Sequence, residues 1–233
     1  MTTYKLITSS EELQYMSHFV DDSYPSAARL CGVHFAPGGE LAATDGHVLC
    51  RMVRAWEYDN TAAHEGTPHD ATGDNAPAGA PANPPADAPA TIPAEGLTLE
   101  LTKDIIKQLK ALPAGPAVVS IDYDPERVAA CVARITGQNG TSICTRLVDD
   151  TYPEYMRIFP TDAPAGSLLR FNPALLDKFT GWSKLAKQKS KDQIQLTSYG
   201  ATVPMGVRVS SNPRVYGLLM PVAASTFDEC GEE

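Results

Sequence analysis

Long apolar runs are missing from this sequence, and no stretch approaches the roughly 20 consecutive apolar residues that a membrane-spanning helix needs. Residues 1–20 also lack the basic start and apolar stretch of a secretory signal, so a soluble, cytoplasmic protein with no membrane partner is expected. Cysteine is scarce and unpatterned. Its five copies (Cys31, Cys50, Cys131, Cys144 and Cys230) are odd in number and show no CxxC spacing, and histidine is equally sparse. That argues against zinc or a disulfide framework and for reduced thiols, so no metal and no cofactor is expected. Basic residues are outnumbered, 19 against 28 acidic, for a net charge of −9. That argues against simple nonspecific binding of nucleic acid by the whole surface, but does not exclude a basic face on an acidic body. The last shortage is local. Between Thr61 and Thr91 there is no large aliphatic or aromatic residue, so burial cannot offset the entropy of ordering. Residues 60–95 are therefore read as a disordered Pro/Ala-rich insert, with His64 and His69 solvated rather than ligating.

Outside the insert, 43% hydrophobic content supports a sizeable core. Residues 9–20 predict a helix: Ser9 or Ser10 caps it, Glu11 and Glu12 suit its positive end, and Leu13, Met16, Phe19 and Val20 form a stripe. Strands are predicted over 29–35 and 40–53, with a Pro37-Gly38-Gly39 turn between them. After the insert the order is strand 97–101, a helix capped by Thr102 and running to about Leu112, then strands near 117–123, 127–136 and 141–148. It recurs with strand 168–171 and a helix started by Asn172-Pro173, whose buried side is Leu175, Leu176, Phe179, Trp182 and Ala186. Strands near 193–198, 201–209 and 214–221 follow. The N-terminal segment, with a strand at 3–7, reads as a third copy of this β-α-β-β-β unit. The fold class expected is α+β, with helices on one face of antiparallel sheets. Trp56 and Trp182 read as core or interface aromatics rather than base-stacking platforms.

Lysines gather on two helices in equivalent positions of the repeat. One carries Lys103, Lys107 and Lys110; the other carries Lys178, Lys184, Lys187, Lys189 and Lys191. Two readings stand: solvated faces with dipole compensation, or a basic surface that meets phosphates without reading sequence. The first helix breaks the pattern, being acidic. A further question is posed by Thr44-Asp45-Gly46-His47, which looks like a catalytic or metal-binding pair. An enzyme built on Asp45 and His47, or on Asp149-Asp150 near Tyr152 and Tyr155, needs its groups to converge. Adjacent residues of a strand point to opposite faces, so Asp149 and Asp150 do not share a metal if extended.

Three blocks, in order, carry a resemblance. Leu30-Cys31-Gly32-Val33-His34-Phe35 with Leu41-Ala42-Ala43-Thr44-Asp45-Gly46-His47-Val48-Leu49 is the first, "TRLVDDTYPEYMRIFP" (145–160) the second, and "VYGLLMPV" (215–222) the third. Together they resemble the bacterial sliding clamp, the β subunit of DNA polymerase III, over about residues 1–60 and 95–224. The resemblance implies a DNA-clamp fold. It divides the chain into a clamp-like domain 1–160 interrupted by the insert, a further half-domain unit 161–224, and an acidic tail 225–233 that includes Cys230. It also implies a ring or part-ring around double-stranded DNA, held nonspecifically by the lysine-rich helices, with no catalytic residues.

By the same resemblance the Thr-Asp-Gly-His turn lines a hydrophobic cleft where short peptides from a DNA polymerase and other partners dock. Carried over by motif, that cleft comprises Leu30, Thr44, Gly46, His47 and Leu49, then Pro153, Tyr155, Arg157 and Ile158, then Leu218, Met220 and Pro221. Val48 stands where clamps usually carry arginine. Three units per chain do not make the family's ring as a dimer; about four such chains, or a partner, are needed, so a homo-oligomer is expected, with a clamp loader as a possible further partner. The alternative is a peptide-binding regulator or decoy that kept the cleft and lost the ring. The insert is open to reading as a spacer or as a partner-binding segment.

Overall fold

A computed structural model describes residues 1–21, 30–58, 92–160, 171–186, 193–200 and 202–221. Most of the insert, residues 161–170, Lys187, Lys189 and Lys191, and the tail from 222 lie outside the described residues. The chain begins with β1 (Thr2–Ser9), which runs directly into α1 (Ser10–Met16). The junction is a capping box: Ser9 Oγ accepts from the Glu12 amide at 3.1 Å, and Glu12 Oε2 accepts from the Ser9 amide at 3.2 Å. Two helix-end amides are satisfied reciprocally. A single 3-10 turn, Ser17–Phe19, extends the helix.

Strands β2 (Gly32–Ala36), β3 (Glu40–Thr44) and β4 (Val48–Met52) complete the first unit, with a short β5 (Glu57–Tyr58) behind them. The run 40–53, expected as one strand, is thus a hairpin that turns at Asp45–His47. The second unit is β6 (Leu97–Glu100), α2 (Lys103–Ala111), β7 (Pro116–Tyr123), β8 (Val132–Gly137) and β9 (Ser142–Arg146). The third contains α3 (Pro173–Asp177), α4 (Trp182–Leu185), β10 (Ile194–Thr197), β11 (Met205–Val209) and β12 (Asn212–Leu219). Its single expected helix is broken because Gly181 takes φ 108°, a left-handed conformation. Of the expected strand 168–171 only Phe171 is described, and it is not in a strand. The insert also ends earlier than expected: Ile92, the first large aliphatic residue after it, is 4% exposed and part of the core.

The fold is α+β, with every ladder antiparallel. Two sheets form, of order β5-β1-β7-β8-β9 and β10-β11-β12-β4-β3-β2-β6. The first strand of each of the first two units is exchanged: β1 pairs with β7 of the second unit, and β6 pairs with β2 of the first. The third unit joins the seven-stranded sheet through β12 against β4, with Val215 opposite Met52 and Leu219 opposite Val48.

Period-two alternation then gives each sheet a buried face. Val33, Phe35, Leu41, Ala43, Cys50, Met52, Val215 and Leu219 point into one core with Leu6, Val119, Ile121 and Ile135 of the other sheet. The helices belong to the same core, α1 packing against both α2 and α4. Tyr15 donates its hydroxyl to the Phe179 carbonyl at 2.9 Å and meets Trp182 edge-on at 5.4 Å. Phe179 is fully buried, 4.8 Å from the Phe19 ring, and it fills the space above Gly217, where a Cβ would lie 2.1 Å from Phe179 Cε1. Trp56 and Trp182 are both buried, as core aromatics.

Since Phe179 pins the third unit's helices to α1 and to β12, Phe179→Ala is expected to lower the unfolding free energy by about 3–5 kcal/mol. Urea unfolding followed by tryptophan fluorescence measures it; a loss under about 1 kcal/mol would mean that the third unit does not share this core.

Candidate functional site

The other face of the seven-stranded sheet carries the site. Residues that alternate away from the core put Thr44, Leu49 and Leu218 in one row across β3, β4 and β12, since Thr44 pairs with Leu49 and Leu49 with Leu218. The segment that leaves β9 crosses onto this face, tied by the Val148 amide to the Thr98 carbonyl at 2.9 Å. Its Tyr152 and Tyr155 close over Ala42, Leu49 and Leu218 as a second apolar cluster, separate from the main core, with Phe159 at its edge. Tyr152 lies parallel to the His34 ring at 4.3 Å, and Tyr155 meets Tyr152 edge-on at 5.9 Å. Arg51, paired with Glu40, lies 5.9 Å from the centre of the Phe159 ring.

The turn that joins β3 and β4 is made by its own side chains. Asp45 Oδ1 accepts from the amides of His47 and Val48, both at 2.9 Å, while Thr44 Oγ1 donates to the Val48 carbonyl at 2.8 Å and accepts from the Gly46 amide. Asp45 Oδ2 takes the Lys178 ammonium at 2.6 Å. Gly46 sits at φ 88°, where an L side chain is strained, and Leu30 lies just above it. The Met220 amide donates to the His47 carbonyl at 3.1 Å, which fastens the end of β12 to the turn. Asp45 therefore spends its carboxylate on two backbone amides and a lysine rather than on the His47 imidazole, which makes it a turn former of the Asx kind.

Among the motif residues, Thr44, Leu49, Tyr155 and Leu218 are buried. Gly46 and His47 are exposed at the turn, and Ile158 and Met220 are exposed apolar groups at 41% and 39%. Arg157 stands free of the sheet, paired with Glu154 at 2.5 Å. Pro153 is half-buried, its carbonyl accepting from the Tyr155 amide, and Pro221 is half-buried at the end of a described stretch. Val48, the position of the family's arginine, is 1% exposed and points into the main core. Sequence reading missed Ala42, Tyr152 and Phe159 as members of the cluster, and His34 beneath Tyr152. The alternation of 40–44 and 48–52 would have exposed Ala42, had the two strands been separated.

On the opposite side, Lys103, Lys107, Lys110 and Lys184 are exposed on α2 and α4. Lys178 differs: it is half-buried and drawn to Asp45. Lys187, Lys189 and Lys191 lie outside the described residues. The acidic first helix does not cancel these charges at short range, because its carboxylates turn to the fold. Glu11 accepts from the Gly115 amide at 2.9 Å, and Glu12 pairs with Arg214 at 2.5 Å. His18, in the 3-10 turn after α1, has its pKa lowered by burial and then by the charges of Lys110 and Lys178. Among the described residues no group of three histidine, cysteine or acidic side chains is placed to hold a metal, and Cys50, Cys131 and Cys144 are not in disulfides.

Repeated β-α-β-β-β units with exchanged first strands and helices gathered on one side define the class: this is the fold of the bacterial DNA sliding clamps. The chain is similar to the sliding clamp, DNA polymerase III subunit beta, of Bartonella birtlesii in its structure bound to griselimycin, with TM-score 0.59 and 13% identity over 95% of this chain and 66% of that one. It matches the Bacillus subtilis sliding clamp at TM-score 0.57 and 14% identity, covering 95% of this chain and 64% of that one. The Thermotoga maritima polymerase III beta subunit gives 0.56 and 13%, covering 96% and 66%. This chain thus spans just under two thirds of the length of these clamps. By sequence it matches no family model and no curated protein.

Burial lowers the His34 pKa to about 4, so the folded state holds a neutral imidazole there. Between pH 6.5 and 4 the unfolded chain binds the extra proton, and stability must fall as pH falls through that window. The contribution amounts to at most about 3 kcal/mol. His34→Phe keeps the ring under Tyr152 and should flatten that part of the curve in urea unfolding at pH 7, 5.5 and 4.5; an unchanged slope would show that His34 titrates freely.

Proposed function

We propose that this protein is a sliding-clamp-like processivity factor that holds duplex DNA against its helical side and tethers a DNA polymerase or other partners by short peptides on its outer face. The observation that carries the reading is the Thr44–Leu49–Leu218 row, brought together from the first and third sequence blocks and covered by Tyr155 of the second, with Ile158 and Met220 as exposed apolar groups. Aliphatic, methionine and aromatic groups make an adaptable apolar slot, with Arg157 and His47 at its rim. Leu30, Gly46 and Pro221 complete the cleft in this proposal, with Pro153 and Tyr155 as its far wall.

On the helical side, Lys103, Lys107, Lys110 and Lys184, continued by Lys187, Lys189 and Lys191 in the sequence, would meet phosphates without reading bases, which suits a protein that slides. Lys178 contributes there only at the expense of its bond to Asp45. No reaction is assigned. β9 and β10 each end a sheet with one edge unpaired among the described strands. Such edges suit a homo-oligomer that closes a ring around DNA, with a loader to open it. The net charge of −9 supports a second reading: a regulator or decoy that occupies clamp-binding peptides without encircling DNA.

The test is retention on DNA. Protein placed on a nicked circular duplex, with a loader if one is needed, should stay bound through gel filtration and be lost when the circle is cut. Retention unaffected by cutting, or none at all, would sink the ring. If, in addition, Lys103→Gln/Lys107→Gln/Lys110→Gln weakens DNA binding about tenfold and flattens its salt dependence, the helical side is the DNA surface.

A further inference from the structure

The outer face carries a feature that the cleft does not use. On the far side of Tyr152 lies a cavity of about 360 Å³ whose rim holds three carboxylates, Glu95, Asp149 and Asp150. None of them forms an ion pair among the described residues; Asp150 only accepts from the Thr151 amide at 2.8 Å. The walls are aromatic: the stacked rings of His34 and Tyr152, and Tyr123. Burial, then Glu95, and after them Asp149, hold the Tyr123 phenol above its usual range, so two of the carboxylates act on one ring. Tyr152 adds an independent sign. It is 7% exposed, and its hydroxyl is buried with no hydrogen-bond partner among the described residues.

Uncompensated negative charge beside aromatic faces suits a cation with apolar or planar surface of its own. A divalent metal does not fit, because the carboxylates are not grouped as ligands. A guanidinium fits best: it is flat, stacks on rings and offers five donors in a fork, while an ammonium on an alkyl stem meets the same charge less selectively.

We propose that this cavity is a second subsite of the peptide site, taking an arginine or lysine side chain that flanks the apolar residues seated in the cleft. The inference rests on the reading of the cleft as a peptide site. Tyr152 joins the two, being part of the apolar cluster with Leu49, Tyr155 and Leu218 and also the ring that walls the cavity. An extended peptide that crosses Tyr152 places its apolar anchor on one side and its basic residue on the other. The partner is thereby selected for charge as well as for shape.

Nuclear magnetic resonance titration of the full chain tests this with three separate probes. N-acetyl-arginine amide should shift the His34 and Tyr123 ring signals saturably. N-acetyl-norleucine amide, of similar length and uncharged, should bind at least fivefold more weakly. Asp149→Asn/Asp150→Asn, which keeps the acceptor for the Thr151 amide and whose fold is checked by circular dichroism, should lose the arginine response. Equal binding of the two amides, an undiminished response in the variant, or no response in the parent overturns the proposal. The third probe, N-acetyl-Leu-Phe amide, reports the cleft through the Leu218 and Met220 methyls. Methyl shifts without any arginine response leave the cleft reading standing and remove the subsite. An arginine response without methyl shifts removes the cleft, and with it the peptide as the occupant.

Discussion

The outer-face site depends on the pairing of β12 with β4. Leu49 and Leu218 are far apart in the chain and adjacent in space only because Val215 to Leu219 run antiparallel to Met52 to Val48. The same register carries Met220 to the His47 carbonyl, so the turn and the end of β12 are fixed together. The register itself is specified by the core. A slip of one residue would turn Val215 and Leu219 outward and Leu218 inward, and Gly217, which alone leaves room for the Phe179 ring, would be replaced there by a side chain.

Much of this was legible in the residues. A capping serine at Ser9 or Ser10, the Thr102 and Asn172 caps and the strand signals at 97–101 and 117–123 are local, and they place their elements correctly. The hairpin 40–52 was misjudged because apolar residues continue through the turn: Val48 and Leu49 follow the four polar or small residues so closely that the two strands read as one. The exchange of β1 and β6 between units was not legible, since each strand has suitable alternation for either sheet and the choice is made by long-range pairing. Three of the blocks that carry the resemblance meet at the site, as their Leu49, Tyr155 and Leu218 show. The lysine helices were legible as basic, but the diversion of Lys178 to Asp45 depends on a contact between units that no local pattern announces.

Glu12 shows how closely the units are tied. Its carboxylate accepts from the Ser9 amide, the Thr8 hydroxyl and Arg214 of the third unit. Burial nevertheless outweighs Arg214 and raises its pKa, so the charged form is held at a cost. A buried ion of this kind adds little net stability, but removing one partner leaves the other unsatisfied, which favours the one arrangement in which all partners are present. The same logic applies to Asp45, whose two oxygens serve the β3–β4 turn and Lys178 of the third unit.

The exchange of β1 and β6 makes the chain divisible in sequence and indivisible in space. β5 and β6, the strands on either side of residues 59–91, each end a different sheet and do not pair with each other, so a cut in the chain there falls between two sheet edges. Yet neither fragment is self-sufficient. The segment before the cut owns β1 and β5 of the five-stranded sheet, and the segment after it supplies β6, β10, β11 and β12 to the seven-stranded one. Two such pieces clasp each other as a pair of hands does, and the length of the connection between them can vary widely, since the entropy of closing a loop grows only with the logarithm of its length.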